Sequence, residues 1–147
     1  MENKMKKIVI NSCFGGFGLS AQAEKRYLEL IGKKQFLYKQ TKYKFQDGKN
    51  EFRKANGKAD TLSTFTFTQN QGKKFDEIGD WEKAGYFYHT DIPRDDPNLI
   101  KVIEEMGEKA NGSRAKLTIV EIPDDVDWKI EEYGGNEWVS EKHRTWR

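Results

Sequence analysis

The sequence predicts an α+β fold: a small, largely antiparallel sheet with two main helices packed on one face, plus a basic β-hairpin insertion. Three observations support this class. A short β-branched run, KIVIN at 7–11, leads through a glycine turn into an amphipathic stretch at 20–31. A second amphipathic stretch follows the DDP sequence at 95–97. Alternating apolar runs separated by turn residues occupy the end of the chain, as antiparallel strands would.

Composition predicts a single domain over residues 1–147. A chain of 147 residues has the usual size of one domain, and its 13% aromatic content argues against disorder. The one cysteine, Cys13, cannot form an internal disulfide, and two histidines add too few ligands for a metal site. No apolar run approaches the roughly 18 residues that span a bilayer. We therefore expect a cytoplasmic protein without a metal, a cofactor or a membrane partner.

The first helix has clear boundaries in the sequence. Ser20 suits the N-cap position, and Gly32 suits the left-handed residue that ends many helices. Between them, one side of the helix collects the apolar residues Ala23, Tyr27, Leu28 and Ile31.

The middle of the chain predicts a basic hairpin inserted into a smaller core. QFLY at 35–38, KYKFQ at 42–46 and NEFRK at 50–54 resemble strands, and Asp47-Gly48 favours a hairpin turn. Residues 33–58 hold nine Lys or Arg against two acids. We expect the insertion to span residues 36–85, with a nucleic-acid groove or an acidic protein surface as the partner of its basic stretch.

The second helix and the last strands are predicted from Asp96 onward. Asp96 suits the N-cap, Pro97 the first helical position, and Asn111-Gly112 the end of the helix. The runs AKLTIVEI, VDWKIEEY and EWV are the strand candidates. The apolar faces of all these elements predict one shared core: Tyr27, Leu28, Ile103, Met106, Leu117, Ile119, Trp128 and Ile130.

The glycine turn fits the pattern G-x-G-x-x-A at 16–21, between a strand and a helix, where backbone N–H groups can hold a phosphate. No acidic residue follows about twenty positions later and no second mononucleotide half exists, which argues against a dinucleotide enzyme. No Gly-Lys-[Ser/Thr] follows, which excludes a Walker loop. Two interpretations stay open: the turn contacts an anionic ligand, or its glycines only permit a tight connection.

Other candidate residues are polar or aromatic. Arg94 is held by an ion pair or directed at a ligand, and the C-terminal aromatic and basic residues either stack on a base or dock on the core. No histidine can be placed beside Cys13, and the acids after position 120 suit a solvated face, so no catalytic residue is expected. The predicted ligand-binding set is Phe14, Gly15, Gly16, Phe17, Gly18, Ser20, Arg94, His143, Arg144 and Trp146.

Three segments resemble a family of small uncharacterised bacteriophage and prophage proteins: INSCFGGFGLSAQA, DIPRDDPNLIKVIEEMGEKANG and LTIVEIPDDVDWKIEEYGGNEWVSEKHRTW. They cover about half of the chain. The resemblance implies a phage accessory product in the host bacterial cytoplasm, and it brings no catalytic residue with it.

Small phage proteins of this kind often counter host defence. By analogy with the Thoeris anti-defence proteins, we expect a non-catalytic sponge protein that sequesters a nucleotide-derived signal molecule. The alternatives are an inhibitor of a host defence nuclease, as anti-CRISPR proteins are, a nucleic-acid-binding accessory protein acting through residues 33–58, and a small enzyme. The sequence is also compatible with a homo-oligomer.

Overall fold

The computed structural model describes residues 4–55 and 64–142. Within them the chain forms eight strands, all paired antiparallel, and three α-helices, which confirms the α+β class. The strands lie in three sheets rather than in one. In chain order the elements are β1 (Met5–Asn11), α1 (Ala21–Leu30), β2 (Phe36–Lys42), α2 (Lys44–Asp47), β3 (Glu51–Lys54), β4 (Thr64–Phe67), β5 (Lys74–Phe75), α3 (Pro97–Met106), β6 (Leu117–Pro123), β7 (Trp128–Tyr133) and β8 (Asn136–Glu141).

The central unit is the β1–β6 sheet with α1 and α3 packed against it. The two strands pair over their whole length, from Met5 opposite Pro123 to Asn11 opposite Leu117. β1 is the most buried strand of the unit, because its apolar residues are covered on both faces. The buried core of this unit consists of Val9, Leu19, Ala23, Tyr27, Ile92, Leu99, Val102, Ile103 and Ala110.

Both main helices begin where the sequence predicts. The Ser20 hydroxyl accepts a hydrogen bond from the N–H of Ala23, and the Asp96 carboxylate accepts from that of Asn98. The end of α3 differs from the prediction: the helix stops at Met106, and a 3₁₀ turn continues to Ala110, so Asn111-Gly112 does not close it.

The predicted insertion is a four-stranded sheet in the order β4-β2-β3-β5, which is more than a hairpin. KYKFQ is not a strand. It contains the short helix α2, which ends at the left-handed Gly48. The sheet has its own core, in which Tyr38, Phe52 and Phe67 are buried. Residues 36–85 were predicted as an insertion into a smaller core, and the structure adds that this segment buries an aromatic cluster of its own.

The β7–β8 ribbon is separate from both cores. The structure includes the predicted EWV strand in β8, which pairs with β7 from Trp128 opposite Glu141 to Tyr133 opposite Asn136. The prediction that Trp128 and Ile130 join the shared core is wrong, because the turn after Pro123 ends β6 and the next strand pairs only within the ribbon. Both side chains are half-buried there and belong to neither core cluster.

The other predicted core residues lie in or near the central unit. Tyr27 and Ile103 are buried members of its cluster, and Met106, Leu117 and Ile119 pack against it. Leu28 is also buried, at 1% exposure.

Truncation of Leu99 to alanine tests this division. Leu99 is fully buried, so Leu99→Ala should lower the free energy of unfolding by about 2 to 5 kcal/mol. Trp128→Ala should cost less than half as much in the same urea titration, although it removes more atoms. Equal losses would place the ribbon in the main core and contradict the assignment.

Candidate functional site

The candidate site is the glycine turn, residues 12–20, between β1 and α1. Backbone hydrogen bonds hold it between two other loops. Gly15 N–H donates to the Gly134 carbonyl at 3.1 Å, and Ser20 N–H donates to the Ala110 carbonyl at 2.9 Å. Gly112 N–H donates to the carbonyl of Gly18 at 2.9 Å. The turn is thus fixed on both sides by main-chain contacts.

The glycines allow these contacts to be close. A Cβ on Gly112 would lie 2.8 Å from the Gly18 carbonyl carbon, and a Cβ on Gly135 would lie 2.7 Å from Gly16 N. No side chain could occupy either space without displacing the backbone. The tight connection foreseen in the sequence is therefore present, and glycines on three loops produce it together.

The turn nevertheless retains unused hydrogen-bond donors. Within the described residues, the N–H groups of Gly16, Phe17 and Gly18 donate to no protein acceptor. A Cβ added to Gly16 would have no other atom within 4 Å. Such main-chain donors are suited to an anion.

Two exposed aromatic rings lie at the start of the turn, where Phe14 contacts the end of β7. The Phe14 side chain is 71% exposed and that of Tyr133 is 75% exposed. Their ring centroids lie 6.5 Å apart in an edge-to-face arrangement. Large exposed aromatic residues that touch one another are a common feature of binding surfaces.

Asn11 anchors the turn from behind and was not predicted as a site residue. Its fully buried amide donates to the carbonyls of Cys13 and Gly135, at 2.9 and 2.7 Å, and accepts from Lys116 N–H at 2.8 Å. The only sequence signal was a polar residue at the end of the apolar strand β1. Cys13 is half-buried, and its thiol lies 3.4 Å from the Asn11 carbonyl oxygen Oδ1.

Arg94 supports the turn through an ion pair, which is one of the two alternatives considered for it. Its guanidinium binds Glu137 through two hydrogen bonds, of 2.6 and 2.9 Å. The side chains are only 18% and 10% exposed. Glu137 also accepts from Asn11 N–H at 2.7 Å, and the guanidinium carbon lies 3.6 Å above the Phe17 ring. Among the acids after position 120, Glu137 is thus an exception to the predicted solvated face.

Arg114 and Lys116 provide positive charge beside the turn and were not among the predicted site residues. The Arg114 carbonyl accepts from the Cys13 thiol at 3.4 Å, and the Lys116 carbonyl accepts from Ser12 N–H at 2.8 Å. Both side chains are exposed and make no ion pair with a described residue. The available signal was two basic residues shortly after Gly112, in the sequence GSRAK.

A carboxylate–imidazole pair lies beside Gly18. His89 Nδ1 is 3.9 Å from Glu24 Oε2, and His89 Nε2 is 4.0 Å from the position of a Cβ on Gly18. The Glu24 side chain is 12% exposed, and this burial raises the pKa of its carboxyl while His89 opposes the shift.

The predicted site residues are thus partly brought together. Six of them share the turn, Arg94 lies behind it, and three lie outside the described residues: His143, Arg144 and Trp146. A separate groove of about 680 Å³ between the end of α1 and residues 82–93 includes none of them. Two acids, Glu82 and Asp91, and one base, Lys33, line that groove, so it is less suited to an anionic ligand than the turn is.

Replacing Glu24 with glutamine should alter how stability depends on pH. A carboxyl whose pKa is raised by folding stabilises the fold fully below its unfolded pKa, near 4.5, and loses that contribution as the pH rises through its folded pKa. Glutamine is neutral throughout, so Glu24→Gln should gain stability relative to wild type as the pH rises from about 4 to about 8. Thermal melts across this range measure the difference. A difference that instead falls with pH would contradict the assigned burial of the charge.

No family model, curated protein or solved structure matches the chain. Within residues 4–55 and 64–142, no helix has the length and apolar character to cross a membrane. In the same residues, no group of three or more His, Cys, Asp or Glu side chains is arranged to hold a metal ion.

Proposed function

We propose that the protein binds an anionic, nucleotide-derived small molecule at the glycine turn and does not transform it. One observation carries the proposal: the turn has unpaired N–H groups at 16–18 and, next to them along the chain, the exposed ring of Phe14, which contacts the exposed ring of Tyr133. Main-chain N–H groups bind phosphate oxygens, and an aromatic ring stacks on a base. A ligand that carries both a phosphate and a base would use both features.

Two basic side chains beside the turn favour an anionic ligand, although the Glu132 carboxylate also lies close by and accepts from Gly135 N–H at 2.9 Å. Arg114 and Lys116 have no described ion-pair partner and can approach a phosphate. Arg94 has a different role in this proposal, because its bidentate bond to Glu137 neutralises it. It supports the Phe17 ring and thereby the shape of the turn.

The engaged side chains of the turn favour binding over catalysis. The hydroxyl of Ser20 caps α1 and also donates to the Lys109 carbonyl at 2.6 Å, so it is not available as a nucleophile. Sequestration of a signalling nucleotide, the role expected by analogy with the Thoeris anti-defence proteins, is therefore the function we propose.

Protein purified from bacteria with active nucleotide signalling should release an intact nucleotide-type molecule on heating. Mass spectrometry of the heated supernatant identifies it, and a heated buffer sample is the control. Recovery of a hydrolysed product would mean that the protein cleaves its ligand, and would contradict sequestration. Recovery of nothing, together with no thermal shift from AMP, ADP-ribose or cyclic di-AMP, would contradict the proposed function.

Phe14→Ala should reduce the amount of recovered ligand by roughly tenfold or more, because stacking on one ring contributes about 1 to 3 kcal/mol. Phe45→Ala is the matched control, since Phe45 is 81% exposed in the connection between β2 and β3.

Arg114→Gln should weaken binding by about tenfold, as expected for the loss of a charge-assisted hydrogen bond. Unchanged recovery in both the Phe14 and the Arg114 variants would move the site away from this turn.

A further inference from the structure

Three basic residues form a row across the four-stranded sheet. The strand register places Lys39 directly opposite Arg53, and Arg53 directly opposite Lys74. Residues that face each other in this way point to the same side of a sheet. The three positions, which we call the basic row, therefore lie on one face across β2, β3 and β5, separated by the strand spacing of about 4.8 Å.

The basic row is unfavourable for the sheet itself. Like charges directly opposite one another on neighbouring strands destabilise the pairing. Glu51, two residues before Arg53 and on the same face, offsets part of this cost. The aromatic side chains of the opposite face form the second core, in which Phe52 and Phe75 stack with centroids 4.7 Å apart and Phe67 stacks on Trp81 at 5.6 Å. The face that carries the row is also packed toward β4, where Leu37 and Thr66 are buried.

Glu51 orders the arginine of the row without removing the positive character of the face. Its buried carboxylate accepts hydrogen bonds from Arg53 Nε at 2.6 Å and from the Thr41 hydroxyl at 2.9 Å. These bonds lower the pKa of Glu51 to about 2, so it is ionised at neutral pH. Residues 39–53 still hold five bases against two acids.

Two aromatic rings lie at the end of the same strands. Tyr43 and Phe45, which we call the aromatic tip, occupy the connection between β2 and β3, with ring centroids 5.7 Å apart. Phe45 is 81% exposed, the largest exposure among the described large hydrophobic side chains. Lys44 and Lys49 flank the tip and are exposed too.

From this juxtaposition we propose that the outer face of the four-stranded sheet binds single-stranded nucleic acid, with the basic row on the phosphates and the aromatic tip stacked on unpaired bases. A positive surface that tracks the backbone, next to aromatic rings that accept bases, is how single strands are bound without sequence preference. The bases of a duplex are stacked on one another, so the tip would add little there. This surface is separate from the glycine turn, and the proposal does not depend on the ligand of that turn.

Fluorescence anisotropy with a labelled oligothymidine of about 15 nucleotides, at about 50 mM salt, tests the proposal. Wild type should bind this strand more tightly than a duplex of the same length, and affinity should fall as salt rises. The double variant Lys39→Gln/Lys74→Gln should bind roughly tenfold or more weakly, with a shallower dependence on salt. Lys129→Gln, on the β7–β8 ribbon, is the charge-matched control and should bind as wild type does.

Phe45→Ala separates stacking from charge. It should weaken binding of the single strand by about tenfold and leave duplex binding unchanged. Phe14→Ala should affect neither, although it should reduce ligand recovery at the turn. Equal losses for single strand and duplex in Phe45→Ala would overturn the role of the tip.

Full affinity in the lysine double variant would overturn the role of the row. Circular dichroism melts of each variant distinguish lost binding from lost folding. Binding to phosphatidylglycerol vesicles without binding to oligothymidine would assign the surface to a membrane instead and overturn the proposal.

Discussion

The ion pair between Arg94 and Glu137 is the interaction on which the candidate site depends. It joins three parts of the chain: the segment before α3 through Arg94, β8 through Glu137, and β1 through Asn11 N–H and the Val9 carbonyl. Because both side chains are largely removed from water, either charge would be costly without the other. The same guanidinium lies against the Phe17 ring, so the pair connects the core of the central unit to the shape of the glycine turn.

Packing contacts and the two proposed binding surfaces are arranged differently in the two units. In the central unit, backbone contacts among glycines hold the turn, while the N–H groups at 16–18 have no acceptor among the described residues. In the four-stranded sheet, an aromatic cluster fills one face and the basic row lies on the other. Positive charge is concentrated on this sheet, whereas residues 121–137 carry seven acids and one base.

Local signals made the helix starts predictable, and tertiary contacts explain what was missed. Ser20 and Asp96 cap their helices because a short polar side chain reaches its own helix N–H groups, which depends only on nearby sequence. The helix at KYKFQ was not predictable in this way, since the Asn50 side chain, across the connection, binds Lys44 N–H. The partner of Arg94 lies 43 positions away, a distance that no local pattern encodes. The glycine turn was found as a motif, but its anchor Asn11 becomes visible only once three loops meet.

A double-mutant cycle on Arg94→Met and Glu137→Gln tests most directly whether this pair organises the site. Each single variant leaves a charge or a buried polar group without its partner, so each should lower the free energy of unfolding by about 3 kcal/mol. The double variant should cost less than the sum of the two, with a coupling of at least about 1.5 kcal/mol from urea titrations. Small effects that add within about 0.5 kcal/mol would contradict the account, because the two side chains would then be independent.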